Sequence, residues 1–178
     1  MKGLAYLFII FSLLLFIFGG YQLWLRYDPN RLSFQDYKPS TTATPNQKEL
    51  PVRIILKDQK IDLPIFPAKV TGHVWETTQN GASYLVSSPI PGTEGNSIIY
   101  AHNWASLFGR LPNSKPGQEV VIIFADGSKK VFKITSTAVV TPMDASILAP
   151  SKDKHITLYT CTDWFDRNRF VLTAVLVK

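Results

Sequence analysis

An uncharged run from residue 4 to residue 25, dominated by Leu, Ile and Phe, constrains this chain more than any other feature. As a helix rising 1.5 Å per residue it spans roughly 33 Å, matching a bilayer hydrocarbon core of about 30 Å. Tyr21, Trp24 and Tyr27 gather at its C-terminal end, where amphipathic rings settle at a membrane interface. A cleavable signal peptide has a shorter apolar stretch followed by a small-x-small site, and Phe18-Gly19-Gly20-Tyr21-Gln22 offers no good one. Residues 1–26 therefore read as an uncleaved, single-pass transmembrane anchor. Lys2 precedes the run while Arg26, Arg31 and Lys38 follow it, so basic residues alone would leave the C-terminal side in the cytoplasm. Long domains translocate largely regardless of that count.

Residues 27–50 contain Pro29, Pro39 and Pro45 among Ser and Thr, with little apolar content, and read as a semi-extended linker. The remaining residues, 51–178, are enough to bury about two thirds of the unfolded chain's surface in one core. Net charge is +6. Lys and Arg are scattered singly, the tight groups being Lys129-Lys130 and Lys152/Lys154. That is a solvated basic surface suited to an anionic envelope, not the concentrated patch of a nucleic-acid binder. No nucleic-acid partner is expected.

Short β-branched or aromatic runs follow at 52–56, 61–65, 97–102, 119–124, 130–140, 156–160 and 170–177. Asn80-Gly81, Pro91-Gly92, Pro116-Gly117 and Asp126-Gly127 punctuate them. Residues 121–132 read as a hairpin turning on Asp126-Gly127, and one short helix is expected near 143–149. Closely spaced strands with few helices indicate an all-β sandwich or closed barrel.

The chain has one cysteine, Cys161, so no internal disulfide can form. It ends the run His155-Ile-Thr-Leu-Tyr-Thr-Cys161 and precedes a polar loop, a position where a strand fixes the backbone and a loop leaves room for substrate. The alternative is a small buried hydrophobe. A thiolate near neutral pH needs a neighbouring cation or base. His155 opens the same strand about 20 Å away, too far to pair with Cys161. His73 lies in Thr71-Gly-His-Val-Trp75, and His102 emerges from the strand Ser97-Ile-Ile-Tyr-Ala101 much as Cys161 does, which makes it the better partner. Arg169 precedes the final strand and returns toward Cys161 if the last two strands pair. Arg167 is its rival, and an ordinary loop arginine is the alternative for both.

Thr157-Leu158-Tyr159-Thr160-Cys161 resembles the TLxTC signature of the sortase family. Pro91-Gly92-Thr93-Glu94-Gly95-Asn96-Ser97-Ile98-Ile99-Tyr100-Ala101-His102 resembles the family's PGExGNxxIxGH stretch, and Arg169 is similar to its arginine. The order His, Cys, Arg matches over residues 52–178. Ala101 stands where Gly is usual, and Glu94 falls one place late.

The resemblance implies a closed β-barrel of about eight strands with one or two short helices. It implies Cys161, His102 and Arg169 as catalytic residues, with Thr160 and Asn103 beside the substrate. The reaction would cleave an LPxTG-like sorting signal through a thioacyl-enzyme and transfer the acyl group to an amine. Implied partners are sorting-signal-bearing surface proteins and an amine acceptor, a cell-wall precursor or a pilin lysine. The enzyme would sit in the cell membrane with its catalytic domain outside. No cofactor or metal is expected, and no Asp-x-Asp run suggests a calcium loop. Net hydrolysis on the same scaffold, or a silent peptide-binding barrel, are the competing readings.

Overall fold

The computed structural model describes residues 2–26, 29–35, 37, 47–72, 74–163 and 166–177. Helix α1 (Lys2–Arg26) is long and apolar enough to cross a bilayer, and its apolar side chains are exposed rather than packed on the rest of the chain. Tyr21 and Trp24 stack near its end, ring centroids 6.2 Å apart.

Among the described residues ten strands follow: β1 (Pro51–Leu56), β2 (Ile61–Ala68), β3 (Val70–Thr71), β4 (Val74–Trp75), β5 (Ala82–Leu85), β6 (Gly95–Tyr100), β7 (Glu119–Phe124), β8 (Lys129–Val140), β9 (Lys154–Thr162) and β10 (Asn168–Leu176). Eight close into a barrel in the order β1-β2-β5-β6-β9-β10-β8-β7, while β3 and β4 form a small antiparallel ribbon. Two pairings, β2–β5 and β6–β9, are parallel, and the others in the barrel are antiparallel. The β7–β8 turn forms as its Asp-Gly pair requires: Gly127 takes φ +82°, Asp126 Oδ1 accepts from Ser128 N–H, and Phe124 N–H donates to the Ser128 carbonyl.

Side-chain alternation divides the apolar residues into two cores. On β7, Val120, Ile122 and Phe124 point into the barrel, joined there by Ile99, Leu158 and Leu172. Strands β6, β9 and β10 are buried on both faces. Their outward residues Tyr100, Tyr159, Cys161 and Val171 belong to a second core that lies against the barrel wall and includes Trp75, Leu32 and Phe34. Tyr100 stacks on Tyr159 at 5.3 Å, and Trp75 and Phe34 approach that pair edge-on.

Leu32 and Phe34 correct the expectation of a semi-extended linker over its first part. Pro29–Leu32 is a 3₁₀ turn, and Leu32 and Phe34 are 0% and 2% exposed. Two apolar side chains in a polar stretch are enough to seat it, each contributing about 1.5–3 kcal/mol by burial. We call residues 29–35 the strap. Residues 38–46 of the expected linker lie outside the described residues. The helix expected near 143–149 is a single 3₁₀ turn, Ala145–Leu148, capped by Asp144, whose side chain accepts from Ser146 N–H. The 3₁₀ segment Phe108–Asn113 and the short strand β5 were not expected.

Candidate active site

Register brings the three expected catalytic residues into one row. In the parallel β6–β9 pair, Tyr100 is level with Tyr159, and carrying that register two places further sets His102 level with Cys161. The Ala101 N–H bond to the Tyr159 carbonyl continues the pairing toward His102. In the antiparallel β9–β10 pair, Arg169 is directly opposite Cys161. Adjacent strands lie about 4.8 Å apart, and level residues share a face. Extended in this way, the register sets the imidazole, from the chain just past β6, in the same row as the thiol of β9 and the guanidinium of β10.

Each is held by its backbone. The hydroxyl of Thr160, wholly buried, donates to the Ala101 carbonyl at 2.8 Å and ties β9 to the residue before His102. Beyond His102 the chain folds under itself: Phe108 N–H donates to the His102 carbonyl at 3.0 Å, and Leu107 and Gly109 N–H both donate to the Trp104 carbonyl at 2.9 Å. A Cβ on Gly109 would stand 2.7 Å from the carbonyl oxygens of Asn103 and Trp104, so this close turn requires glycine. The His102 ring stacks on Trp104, 4.8 Å between centroids and 12° from parallel. In the β9–β10 loop, Asp163 and Asp166 take left-handed φ values of 68° and 55°, which Asp tolerates better than most residues. Arg169 Nη1 donates to the carbonyls of Asp166 and Asn168 at 2.9 and 3.2 Å. Arg169 Nε is buried without an acceptor.

The strap lies across the row. Cys161 Sγ donates to the Arg31 carbonyl at 2.9 Å, Arg169 Nη2 to the Ser33 carbonyl at 3.2 Å, and the Tyr159 hydroxyl to the Leu32 carbonyl at 3.0 Å. The Arg31 guanidinium pairs with the Asp166 carboxylate, which also accepts from Asn103 Nδ2 at 2.7 Å. Gln35 N–H closes the far end on the Pro142 carbonyl. Cys161, His102 and Arg169 are 3%, 5% and 3% exposed beneath this cover.

Burial sets the electrostatics. Desolvation pushes the Cys161 thiol up to about 12, Asp166 adds to the rise, and Arg169 and Arg31 oppose it. Desolvation also lowers the His102 imidazole, with the Arg31 charge acting in the same sense. Thiol and imidazole are thus both neutral near pH 7 while the strap is docked.

Of the residues singled out in the sequence, His102, Cys161 and Arg169 share the row. Arg167 is exposed and lies outside the strand, and His155 is at the other end of β9. Of the two residues expected beside substrate, Thr160 is buried and donates to the Ala101 carbonyl, and Asn103 is exposed and donates to Asp166. His73 lies outside the described residues. Sequence reasoning missed Arg31, Asp166 and Gly109. Only the Gly within Leu107-Phe108-Gly109-Arg110 offered a local signal, since Arg31 and Asp166 meet only through the fold.

A closed barrel that sets a lone thiol level with an imidazole and a guanidinium has the make-up of a cysteine-nucleophile enzyme. A family model described as Sortase domain matches residues 54–177. The chain belongs to the sortase family, whose members are cysteine transpeptidases. It is 36% identical over 72 residues to the Bacillus subtilis (strain 168) protein YwpE, which carries a provisional sortase designation; the match covers 38% of this chain and 69% of that one. Among solved structures it is similar to a lid mutant of Corynebacterium diphtheriae sortase A, with a TM-score of 0.64 and 26% identity over 82% of this chain and 77% of that one. Listeria monocytogenes sortase A shares the fold at a TM-score of 0.59 and 23% identity, covering 73% of this chain and 88% of that one.

Proposed function

We propose that this protein is a membrane-anchored transpeptidase that cleaves an LPxTG-like sorting signal and passes the acyl group to an amine, attaching surface proteins to the cell wall or joining pilin subunits. The observation that carries the reading is the row of His102, Cys161 and Arg169 across β6, β9 and β10.

The chemistry follows from that order. With the strap lifted, water and substrate reach the sulfur, the desolvation that holds the thiol protonated is relieved, and the thiol proton passes to the His102 imidazole. The Cys161 thiolate attacks the carbonyl carbon of the Thr–Gly bond, and a C–S bond forms as the carbonyl oxygen takes up negative charge. Arg169, on the opposite side of the sulfur from His102, donates hydrogen bonds to that oxygen. When the C–N bond breaks, the imidazolium gives its proton to the leaving amine, and a thioacyl-enzyme remains. An incoming amine then attacks the thioester carbonyl, His102 takes its proton, and the thiolate departs. The apolar helix α1 serves as the anchor, with the barrel on the outer side of the membrane.

The test is a sorting-signal peptide library incubated with the full-length protein in detergent, with and without amine acceptors, analysed by mass spectrometry. A thioester adduct on Cys161, discharged by the amine to a new amide, is expected. Turnover undiminished in Cys161→Ala would overturn the mechanism.

A further inference from the structure

His102 and Arg169 reach the row on two segments far apart in the chain. His102 lies just past the end of β6, and Arg169 lies just after the turn between β9 and β10. A side-chain pair joins these segments. Asn103, the residue after His102, donates from Nδ2 to Asp166 Oδ1 at 2.7 Å, and Asp166 belongs to the turn before Arg169. That turn fixes Asp166 locally. Its φ of 55° is left-handed, its N–H donates to the Asp163 carbonyl at 3.1 Å, and Asn168 Nδ2 donates to Asp163 Oδ2 at 2.6 Å. The Asp166 side chain is 8% exposed, and its carboxylate meets the Arg31 guanidinium as well as Asn103. The carbonyl of the same residue accepts from Arg169 Nη1 at 2.9 Å. One residue, bonded through side chain and main chain, thus connects the neighbour of the imidazole to the guanidinium. A carboxylate acceptor makes the Asn103 bond stronger than one between neutral groups. Asn103 itself is exposed, so truncating it opens no cavity in the core.

We infer that Asn103 and Asp166 are positioning residues: their bond staples the segment carrying His102 to the turn before Arg169 and holds imidazole and guanidinium at a fixed separation across Cys161. The inference rests on the transpeptidase reading and adds to it two residues that act through others. Asn103, which the family resemblance placed beside the substrate, works here through Asp166. The staple complements the ties already described, because Thr160 and Phe108 hold the His102 segment to the barrel and to itself, whereas Asn103 holds it to the arginine.

Two measurements on the full-length protein in detergent test this. The first needs no substrate. With nitrogen-15 in the Asn and His side chains, NMR should show the Asn103 amide protons exchanging with water at least about tenfold more slowly than in the urea-unfolded chain. Asp166→Ala should abolish that protection and also shift the His102 ring resonances, one residue beyond the bond it breaks. The second is steady-state kinetics on a cleaved sorting peptide, well below each variant's melting temperature. Asn103→Ala and Asp166→Ala should each lower kcat by about ten- to a hundredfold with KM within about twofold, the loss expected when a catalytic group moves by about 1 Å. The double variant should be no slower than the slower single, because either change breaks the same bond. Asp166→Asn, which keeps an oxygen for Asn103 and drops the charge, should recover most of kcat. A raised KM with unchanged kcat in Asn103→Ala would set that side chain against substrate and overturn the staple. Losses that multiply in the double variant would overturn it too, as would an Asn103 amide that exchanges as in the unfolded chain. An Asp166→Asn variant as slow as Asp166→Ala would trace the loss to the charge, with the same result. A parent that processes no sorting peptide, while the amide and ring signals behave as expected, would overturn the proposed reaction and leave the staple in place.

Discussion

Arg169 lies directly opposite Cys161 in the β9–β10 ladder, and its guanidinium is fixed by the carbonyls of Asp166, Asn168 and Ser33. Only the last of these belongs to the strap. When the strap lifts, the two loop carbonyls still aim the side chain, while Nη2 loses its acceptor and the buried Nε already has none. The arginine is thus held by its own loop and left with donors to offer a substrate oxygen.

That geometry ranks the two arginines. Arg169→Ala should lower kcat/KM by about 10²–10³-fold, the usual loss for an oxyanion donor. Arg167→Ala, a change at an exposed position, should stay within about twofold. Arg169→Lys should not restore activity, because one ammonium cannot replace a planar fork held at two carbonyls. Steady-state kinetics on a cleaved sorting peptide decides the ranking, and the reverse order would mean the wrong arginine was assigned.

Thr160 tests whether the His102 strand end needs its tie. Thr160→Val keeps the shape but removes the hydroxyl that donates to Ala101 at 2.8 Å. Leaving a buried carbonyl short of a donor costs about 1–3 kcal/mol, so the thermal midpoint should fall. If the hydroxyl positions His102, kcat should fall as well with KM nearly unchanged, and Thr160→Ser should recover both. A fall in melting temperature without a fall in kcat would leave Thr160 purely structural.

The strands were legible where polar and apolar residues alternate between turn signals. Val120, Ile122 and Phe124 of β7 are such a case, as is the Asp126-Gly127 turn. Strand β5 was not, because Ala82–Leu85 is four residues long and buried on both faces, leaving no period to read. The parallel β6–β9 pairing, which levels His102 with Cys161, carries no local signal at all; it follows from the closure of the whole barrel. The proposed trio of His102, Cys161 and Arg169 was therefore reached through the joint pattern of motifs and not through spacing. The strap escaped notice for a related reason: Leu32 and Phe34 are two apolar residues among polar ones, too few to show a period, and their partners Trp75, Tyr159 and Val171 are distant in sequence.

The lowered His102 value gives a pH dependence with a definite sign. A base held neutral in the folded protein and freer to protonate when unfolded stabilises the fold above its ordinary value of about 6.5. That contribution is lost as pH falls below 6.5 toward the depressed value. The urea midpoint should therefore drop between about pH 6.5 and 5, and His102→Gln should flatten the profile. His155 is also lowered by burial, so a residual slope should persist until His155→Gln is added. On the alkaline side the raised Cys161 thiol works the other way. Its contribution is complete below the ordinary value of about 8.5 and fades as pH climbs toward about 12, and Cys161→Ala should remove the decline between about 8.5 and 10, above which the phenols of Tyr37, Tyr84, Tyr100 and Tyr159, also raised by burial, add their own. Profiles parallel to the parent in both variants would show that neither group titrates differently in the folded state.

Gly109 offers the sharpest separation of positioning from stability. A Cβ there meets two backbone carbonyl oxygens at 2.7 Å, those of Asn103 and Trp104, so Gly109→Ala must move the loop that carries His102 and its stacking partner. Displacing a catalytic group by about 1 Å can cost on the order of 10²-fold in rate. Gly117→Ala is the matching control. Gly117 takes φ +93° with nothing within 4 Å of its would-be Cβ, so alanine there is strained by conformation but touches no part of the site. Both variants should lose about 1–2 kcal/mol in urea unfolding, from crowding in one and left-handed strain in the other. Only Gly109→Ala should lose kcat by one to two orders of magnitude when assayed well below its melting temperature. Equal kcat losses in the two would mean that stability alone links Gly109 to turnover; an unchanged kcat in Gly109→Ala would mean that the His102 loop can shift without moving the imidazole out of its row with Cys161.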